Sequence, residues 1–243
     1  MPSVPARDRC NTLLELWERG LGREGSLRAD ALLRDDAEAT ARTLGQRTRA
    51  LLQLHTTLFD AHVELVSHCR SCDALAQFNV DCEALLRQLP ASDDAPVHRL
   101  ELDDCAIEFR LPTGADVAAA SHQPTPDAFA RHVLDQCVLS CTRSGTPLLL
   151  DEVPPAVIDA VSQRMETLDP GAIVSFAVEC PECATHWDAP LDVSQLVWQQ
   201  VRTSAERLFL DVDALARAYG WTEREVLSLS PARRAAYLQI VTV

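Results

Sequence analysis

Two cysteine pairs with the same internal spacing constrain the fold of this chain more than any other feature. They are Cys69–Cys72 (CRSC) and Cys180–Cys183 (CPEC), and residues 73 to 179 lie between them. A turn that separates two cysteines by two residues brings both sulfurs to one ion, and four thiolates complete the tetrahedral shell of structural zinc. The spacing predicts that Cys69, Cys72, Cys180 and Cys183 bind one structural zinc ion, with most of the fold inserted between the two halves of the site.

Two other interpretations of the cysteine pairs stay open. The four thiols could be buried without a metal, or each pair could be a redox dithiol. A redox pair requires a helix N-terminus after a strand, whereas the sequence predicts strands on both sides of each pair. Glycine often follows the second cysteine of such a turn because the backbone becomes left-handed there, but Asp73 and Ala184 occupy those places. His68 and His186 could replace a cysteine ligand, although we expect surface positions or hydrogen bonds to the ligands.

The segments around the two pairs match each other at an offset of 111 residues. Asp81 falls on Asp192, and the apolar positions of the flanking segments also coincide. Each copy reads as a strand, a CxxC turn, a strand, an aspartate and a helix, so the sequence favours a duplicated zinc-knuckle hairpin. The superposed apolar positions are Val63 and Val174, Leu65 and Phe176, Ala76 and Trp187, Phe78 and Ala189, Val80 and Leu191, Leu85 and Leu196, and Leu86 and Val197.

The rest of the chain predicts an α+β fold with a helical periphery around a small antiparallel β core. A capping box of Thr222 and Glu225 and a Ser230-Pro231 start predict two final helices after Gly220. We expect a single intertwined unit: an N-terminal helical arm (1–60), the first knuckle repeat (61–90), a hairpin and helical insert (91–171), and the second knuckle repeat with the C-terminal helices (172–243). Helices are predicted over 11–19, 27–39, 43–58, 82–89, 126–141, 155–168 and 193–218. Strands are predicted over 63–65, 76–80 and 172–179, with a further short strand that follows the second cysteine pair and ends at 191. A hairpin is predicted over 97–111, with its turn near 103–104.

The charge distribution argues against nucleic acid and acidic membranes as partners. The net charge is −14, and residues 61–243 hold the whole excess, with thirteen arginines against twenty-seven acidic residues. Phosphate binding needs clustered positive charge. The sequence begins without an apolar signal segment and has no run of eighteen apolar residues, so we expect a soluble protein in the cytoplasm. Nine cysteines in a reducing compartment do not form a disulfide framework.

No set of residues in the sequence indicates catalysis, so we expect a non-enzymatic protein without a small-molecule substrate. The chain has no lysine, GxSxG, HExxH or calcium loop. The segment Gly20–Gly25 matches GxGxxG, but a dinucleotide site needs a preceding strand, and residues 13–19 predict a helix, so a helix–helix connection is the better interpretation. Cys137 and Cys141 are expected to pack in the core on one helix with Phe129 and Val133, and Cys10, Cys82 and Cys105 have no partners by spacing.

Several stretches in order resemble one family. They are 16–22 (LWERGLG), the first CxxC, 109–116 (FRLPTGAD), Asp169-Pro170, the second CxxC with its proline, Trp198, and 215–238 from LARAYGWTE onwards. This combination resembles the baseplate hub assembly chaperones of T-even-like phages, which are also encoded in contractile injection system gene clusters. The resemblance covers nearly the whole chain and is most specific over 172–243. The CxxC positions match the knuckles of many relatives, and the missing glycines are a departure from them.

The resemblance implies a non-catalytic assembly factor whose partners are baseplate hub or spike proteins. The alternative is a permanent minor structural subunit of the baseplate, and a third interpretation, a zinc-ribbon nucleic-acid binder, is opposed by the acidic charge. Arg233, Arg234 and the corner at 219–221 are candidates for contact with a partner. Because a tryptophan after a helix-ending glycine is usually a core residue, no binding residues are assigned.

Overall fold

A computed structural model describes residues 6–33 and 41–241, so the predicted helix over 27–39 lies partly outside the described residues. Within these ranges the chain forms ten α-helices and eight strands. The helices are α1 (Ala6–Gly20), α2 (Gly25–Leu32), α3 (Leu44–Leu58), α4 (Cys82–Gln88), α5 (Gly114–Ala120), α6 (Pro126–Cys137), α7 (Pro155–Leu168), α8 (Val193–Tyr219), α9 (Glu223–Ser228) and α10 (Pro231–Val241). The strands are β1 (His62–His68), β2 (Leu75–Asp81), β3 (His98–Leu102), β4 (Cys105–Phe109), β5 (Val138–Arg143), β6 (Thr146–Pro147), β7 (Ser175–Glu179) and β8 (His186–Pro190).

The strands form three small antiparallel sheets. The first is the hairpin β1-β2, the third is the hairpin β7-β8, and the second is the four-stranded order β3-β4-β5-β6 between them in sequence. The fold is therefore mixed α and β with small antiparallel sheets, as the sequence predicts. In the described part of the chain, each CxxC pair lies in the turn between two paired strands.

Two apolar cores hold the elements together. The larger core joins α1, α2, α3 and α8 and includes Leu16, Leu52 and Val201, all almost fully buried. It also receives Val63 and Val80, which face each other across the base of the first hairpin. The second core packs α6 and α7 against the four-stranded sheet around Ile107, Phe109 and Val161. On α7 the buried residues Val157, Val161, Met165 and Leu168 are spaced by three and four, as an amphipathic helix requires.

The helix ends follow their sequence signals. Thr43 with Gln46 and Thr222 with Glu225 form reciprocal capping boxes at the starts of α3 and α9. Gly220 ends α8 in the left-handed conformation at φ 70°, which costs glycine least because it has no Cβ. The sequence predicted the end of α8 at Gly220 and the box of Thr222 and Glu225, but not the box of Thr43 and Gln46.

The stretch 16–22 packs against Trp198 through Gly20. Gly20 ends α1 directly over the indole of Trp198, where a Cβ would lie 2.2 Å from the ring. The guanidinium of Arg28 lies 4.8 Å from the centroid of the same indole, a distance typical of a cation–π contact. A side chain at position 20 would therefore push α1 away from α8.

The stretch 109–116 forms a capped turn around a partly buried ion pair. Both terminal nitrogens of Arg110 donate to the Asp116 carboxylate at 2.7 Å, and the backbone and hydroxyl of Thr113 donate to Asp116 at 2.8 Å. Burial alone would raise the pKa of Asp116, but the hydrogen bonds from Arg110 and Thr113 hold it below its usual value. This motif therefore fixes the start of α5.

The carboxylate of Asp169 fixes the start of α3 in a similar way. Its side chain is 1% exposed and accepts a hydrogen bond of 2.8 Å from the backbone of Gly45, and the hydroxyl of Ser92 donates to the same carboxylate. A Cβ at Gly45 would lie 2.0 Å from this carboxylate. Asp169 therefore binds the first turn of α3, where unpaired backbone N–H groups favour an acidic partner.

The predicted helix over 126–141 is wrong at its C-terminal end. Helix α6 ends at Cys137, and residues 138–143 form β5, which pairs with β4. Cys141 therefore lies on a strand opposite Ile107, although Cys137 and Cys141 are both buried in the core as expected. Helix α5 and strand β6 were not predicted, and α1 begins at residue 6 rather than 11.

Candidate metal centre

The first cysteine pair is shaped by the turn between β1 and β2. The backbone N–H of Cys69 donates to the carbonyl of Ala74, and that of Asp73 donates to the carbonyl of Cys69, both at 2.9 Å. Asp73 has φ 60°, so the backbone becomes left-handed directly after the second cysteine of the pair. The N–H of Ser71 points at the Cys69 sulfur from 3.4 Å. The turn thus directs backbone dipoles toward the sulfur.

The second pair has the same backbone arrangement. The N–H of Cys180 donates to the carbonyl of Thr185 at 2.9 Å, and that of Ala184 donates to the carbonyl of Cys180 at 3.0 Å. Ala184 has φ 54°. The left-handed conformation that usually requires glycine is therefore present at both turns, although neither turn contains glycine.

The four sulfurs converge between the two turns. The Sγ atoms of Cys69 and Cys183 lie 3.7 Å apart, those of Cys72 and Cys180 lie 3.5 Å apart, and all four lie within 4.8 Å of one another. A disulfide needs about 2.05 Å between sulfurs, so none of these pairs is bonded. A tetrahedral ion with four bonds of about 2.3 Å to sulfur places the sulfurs about 3.8 Å apart. The cluster formed by Cys69, Cys72, Cys180 and Cys183 could therefore hold a metal ion.

The electrostatics of the cluster favour the loss of one proton before the others. The Thr185 hydroxyl lies 3.2 Å from the Cys183 sulfur, and hydrogen bonds from this hydroxyl and from the Thr185 backbone lower the pKa of Cys183 to about 6. A hydrogen bond from the Ala74 backbone lowers the pKa of Cys72, but the neighbouring sulfurs of Cys183 and Cys180, together with burial, outweigh it and raise that pKa to about 12. Four thiolates in such close contact repel one another unless a cation neutralises them. Metal binding would therefore release protons, and its affinity would rise with pH.

A small apolar cluster joins the two hairpins that carry the sulfurs. Ala76, Val178 and Ala189 are buried there, with Phe78 and Phe176 in ring contact at 5.9 Å between centroids. The indole nitrogen of Trp187 on β8 donates to the hydroxyl of Ser67 on β1 at 3.2 Å. These contacts are few, so they orient the two hairpins but bury little apolar surface between them.

The flanking histidines lie outside the cluster. His68 contacts the Asp73 carboxylate at 3.3 Å and His186 contacts that of Glu179 at 3.6 Å, and all four side chains are more than half exposed. Within the described residues, the candidate metal-binding group consists of the four cysteines alone. The remaining cysteines, Cys10, Cys82, Cys105, Cys137 and Cys141, are buried.

The other sequence-derived candidates are placed as follows. The GxGxxG segment joins α1 to α2, so it is a helix–helix connection as predicted. Arg233 is exposed, whereas Arg234 is 8% exposed and pairs with Asp211 at 2.9 Å. Trp221 is half-buried between the rings of Tyr219 and Tyr237 at centroid distances of 4.8 and 4.9 Å. The corner at 219–221 is thus neither fully core nor fully surface.

Within residues 6–33 and 41–241, no helix is long and apolar enough to cross a membrane. Comparison of the chain with protein-family models, with curated proteins and with solved structures finds no match.

Proposed function

We propose that Cys69, Cys72, Cys180 and Cys183 bind one structural zinc ion, and that the two hairpins are pseudo-repeated zinc knuckles forming a ribbon-like site. Four thiols favour zinc over magnesium or calcium, which prefer oxygen ligands. A shell of four protein ligands leaves no open position for water or substrate, which is the arrangement of structural rather than catalytic zinc. Zinc bound here joins segments that are separated by residues 73 to 179, so it contributes directly to folding.

The protein is a non-catalytic assembly factor, a chaperone, for the baseplate hub of a contractile phage tail or contractile injection system. The resemblance over nearly the whole chain points to this role, and the closed four-thiol cluster is the structural observation that supports a scaffold. Exposed apolar side chains on α8 support partner binding: Leu210 is 70% exposed and Phe209 39%. Assembly would take place in the bacterial cytoplasm, with hub or spike proteins as partners and without nucleic acid, membrane or small-molecule substrate.

The proposed assembly role can be tested by purifying the tagged chain from cells that express the whole gene cluster of the phage tail or injection system to which it belongs. We expect hub or spike proteins to be recovered with the wild-type chain, and recovery of none would refute the proposal. The alternative, a permanent minor structural subunit, predicts the chain at fixed stoichiometry in purified particles. A chaperone would be absent from them.

Elemental analysis of freshly purified protein, prepared without chelator, tests the ion. We expect one zinc per chain. A metal content near zero would refute the zinc site while leaving the assembly role to be decided by the purification experiment.

A further inference from the structure

A groove of about 550 Å³ lies between α1, α8 and α10. Each of the two longer walls is one helix face: positions 204, 207, 208 and 211 on α8 and positions 231, 234, 235 and 238 on α10 share the spacing of a single face. Helix α1 closes the groove with one turn around Leu13. The groove is therefore a product of the helix packing rather than of a loop.

The floor of the groove is apolar and contains a neutralised arginine. Leu13 and Leu208 are almost fully buried beneath it. Arg234 pairs with Asp211 at 2.9 Å and lies 3.5 Å from the sulfur of Cys10. Because its charge is matched within the groove, Arg234 fixes α10 against α8 and is not available to a ligand.

The rim of the groove carries two arginines whose charge is not matched. Arg207 is exposed and has no hydrogen-bond or ion-pair partner among the described residues, and Arg9 is exposed and donates to the backbone carbonyl of Leu58. Leu210, the most exposed leucine of α8, lies beside them. The charged residues that line the groove are three arginines and one aspartate. This local excess of two positive charges stands on a chain whose net charge is −14.

We propose that this groove binds an acidic amphipathic segment of a hub or spike protein. An apolar side chain of the segment packs on Leu13 and Leu208, and its carboxylates pair with Arg9 and Arg207. The inference rests on the proposed function and adds the chemistry of the client segment. Amphipathic segments dock in grooves in this manner through apolar anchors spaced by three and four residues. A nucleic acid fits less well, since its backbone offers no apolar anchor and the acidic remainder of the chain would repel it.

Site-specific cross-linking in cells that express the whole gene cluster tests the groove. A photo-activated benzoylphenylalanine replaces Ala235, which lines the groove and is exposed, or Ala236, its exposed neighbour outside the groove. Mass spectrometry then identifies the captured peptide. We expect the probe at position 235 to capture a hub or spike segment in which apolar and acidic residues share one face, and the probe at 236 to capture at least tenfold less.

Charge reversal tests the role of the rim. We expect Arg207→Glu to lower the cross-link yield at position 235 at least tenfold, because attraction becomes repulsion at a partly desolvated contact. The matched control Arg164→Glu, at an exposed arginine on α7 without an ion pair among the described residues, should change the yield less than twofold. Both substitutions are on the surface, and thermal melts will show that both variants fold.

Each outcome supports or overturns the inference. Capture of a neutral or basic segment, of nucleic acid or of a second copy of this chain at position 235 overturns it. If the Arg207→Glu variant recovers as much hub protein as the wild type and the probe at position 235 captures no peptide, the inference is overturned while the proposed function stands. Recovery of no hub or spike protein by the wild-type chain overturns the proposed function, and the inference with it.

Discussion

Removing one exposed ligand from each hairpin should separate the contribution of the metal from that of the fold. Cys72 and Cys183 are exposed, whereas Cys69 and Cys180 are 2% exposed. Serine at the two buried positions would damage the packing as well as the site. The double variant Cys72→Ser/Cys183→Ser removes half of the ligands and leaves the buried half of the cluster intact.

The structure sets the size of the effect in two ways. If zinc stays bound on unfolding, it closes a loop between Cys72 and Cys180 in the unfolded chain. Closing a loop of about 100 residues lowers the conformational entropy of that chain, which stabilises the folded state by about 4.7 kcal/mol at 25 °C. If zinc dissociates on unfolding, free zinc at about 1,000 times its Kd stabilises the folded chain by about 4.1 kcal/mol. Both routes predict that the double variant loses about 4 to 5 kcal/mol in zinc. For a chain of this size the loss corresponds to a Tm lower by roughly 8 to 19 °C.

The assay is urea denaturation and thermal melting of wild type and variant, each with zinc and with chelator. In chelator the two proteins should agree within about 0.5 kcal/mol, because both substitutions are on the surface. Ser71→Ala, in the same turn but without a ligand, should behave as wild type in zinc. The reasoning fails if zinc does not stabilise the wild type, or if the variant is equally destabilised when both proteins are in chelator.

Three further predictions concern the rest of the fold. Both ring nitrogens of His55 are buried without a hydrogen-bond partner among the described residues, and burial lowers the pKa of His55. As the pH falls, the unfolded chain therefore binds this proton before the folded chain does, and the free energy of unfolding falls by up to about 1.4 kcal/mol per pH unit below about pH 6.5. Urea titrations at pH 7.5 and 5.5 should show a smaller loss of stability in His55→Leu than in the wild type. Ala184→Gly should raise the free energy of unfolding by about 0.5 to 1 kcal/mol, since relief of the left-handed strain exceeds the added entropy of the unfolded chain, and a destabilised variant in urea would contradict this. Arg110→Ala should lower the free energy of unfolding by about 2 to 3 kcal/mol, which is less than for a fully buried pair because Arg110 is 32% exposed. In a double-mutant cycle, Arg110→Ala/Asp116→Asn should recover part of this loss, whereas strictly additive losses would refute the coupling.

Local signals in the sequence predicted the elements whose structure is decided locally. The period of three and four over 193–218 gave helix α8 to within one residue, because its apolar face alone determines where the helix lies. The cap at Thr222 needs only neighbouring residues. The CxxC spacing is local in the same sense, since each turn by itself positions two sulfurs.

Two features that depend on distant segments were not predicted. Residues 129, 133, 137 and 141 are apolar at helical spacing, yet the chain leaves the helix after Cys137 because Val138–Arg143 pairs with β4. Tertiary hydrogen bonding thus overrides a continuing periodicity. The groove was missed for a related reason: Arg9, Arg207 and Arg234 meet only when three helices pack. The sequence does not show that Asp211 pairs with Arg234 while Arg207 has no ion-pair partner within the described part of the chain.

The position of the sulfurs in their hairpins explains why a metal suits this fold. The base of the first hairpin is anchored, because Val63 and Val80 are buried in the helical core. Toward its tip it meets the second hairpin through a small apolar cluster, in which Ala76, Val178 and Ala189 are buried, and through the hydrogen bond from Trp187 to Ser67. A two-stranded ribbon is marginal by itself in water, so the tips need a further contact that occupies little space. An ion bound by Cys69, Cys72, Cys180 and Cys183 supplies that contact, while the groove lies in the separate packing of α1, α8 and α10. In the proposed function, the metal would stabilise the tips and the helices would present the surface for a partner.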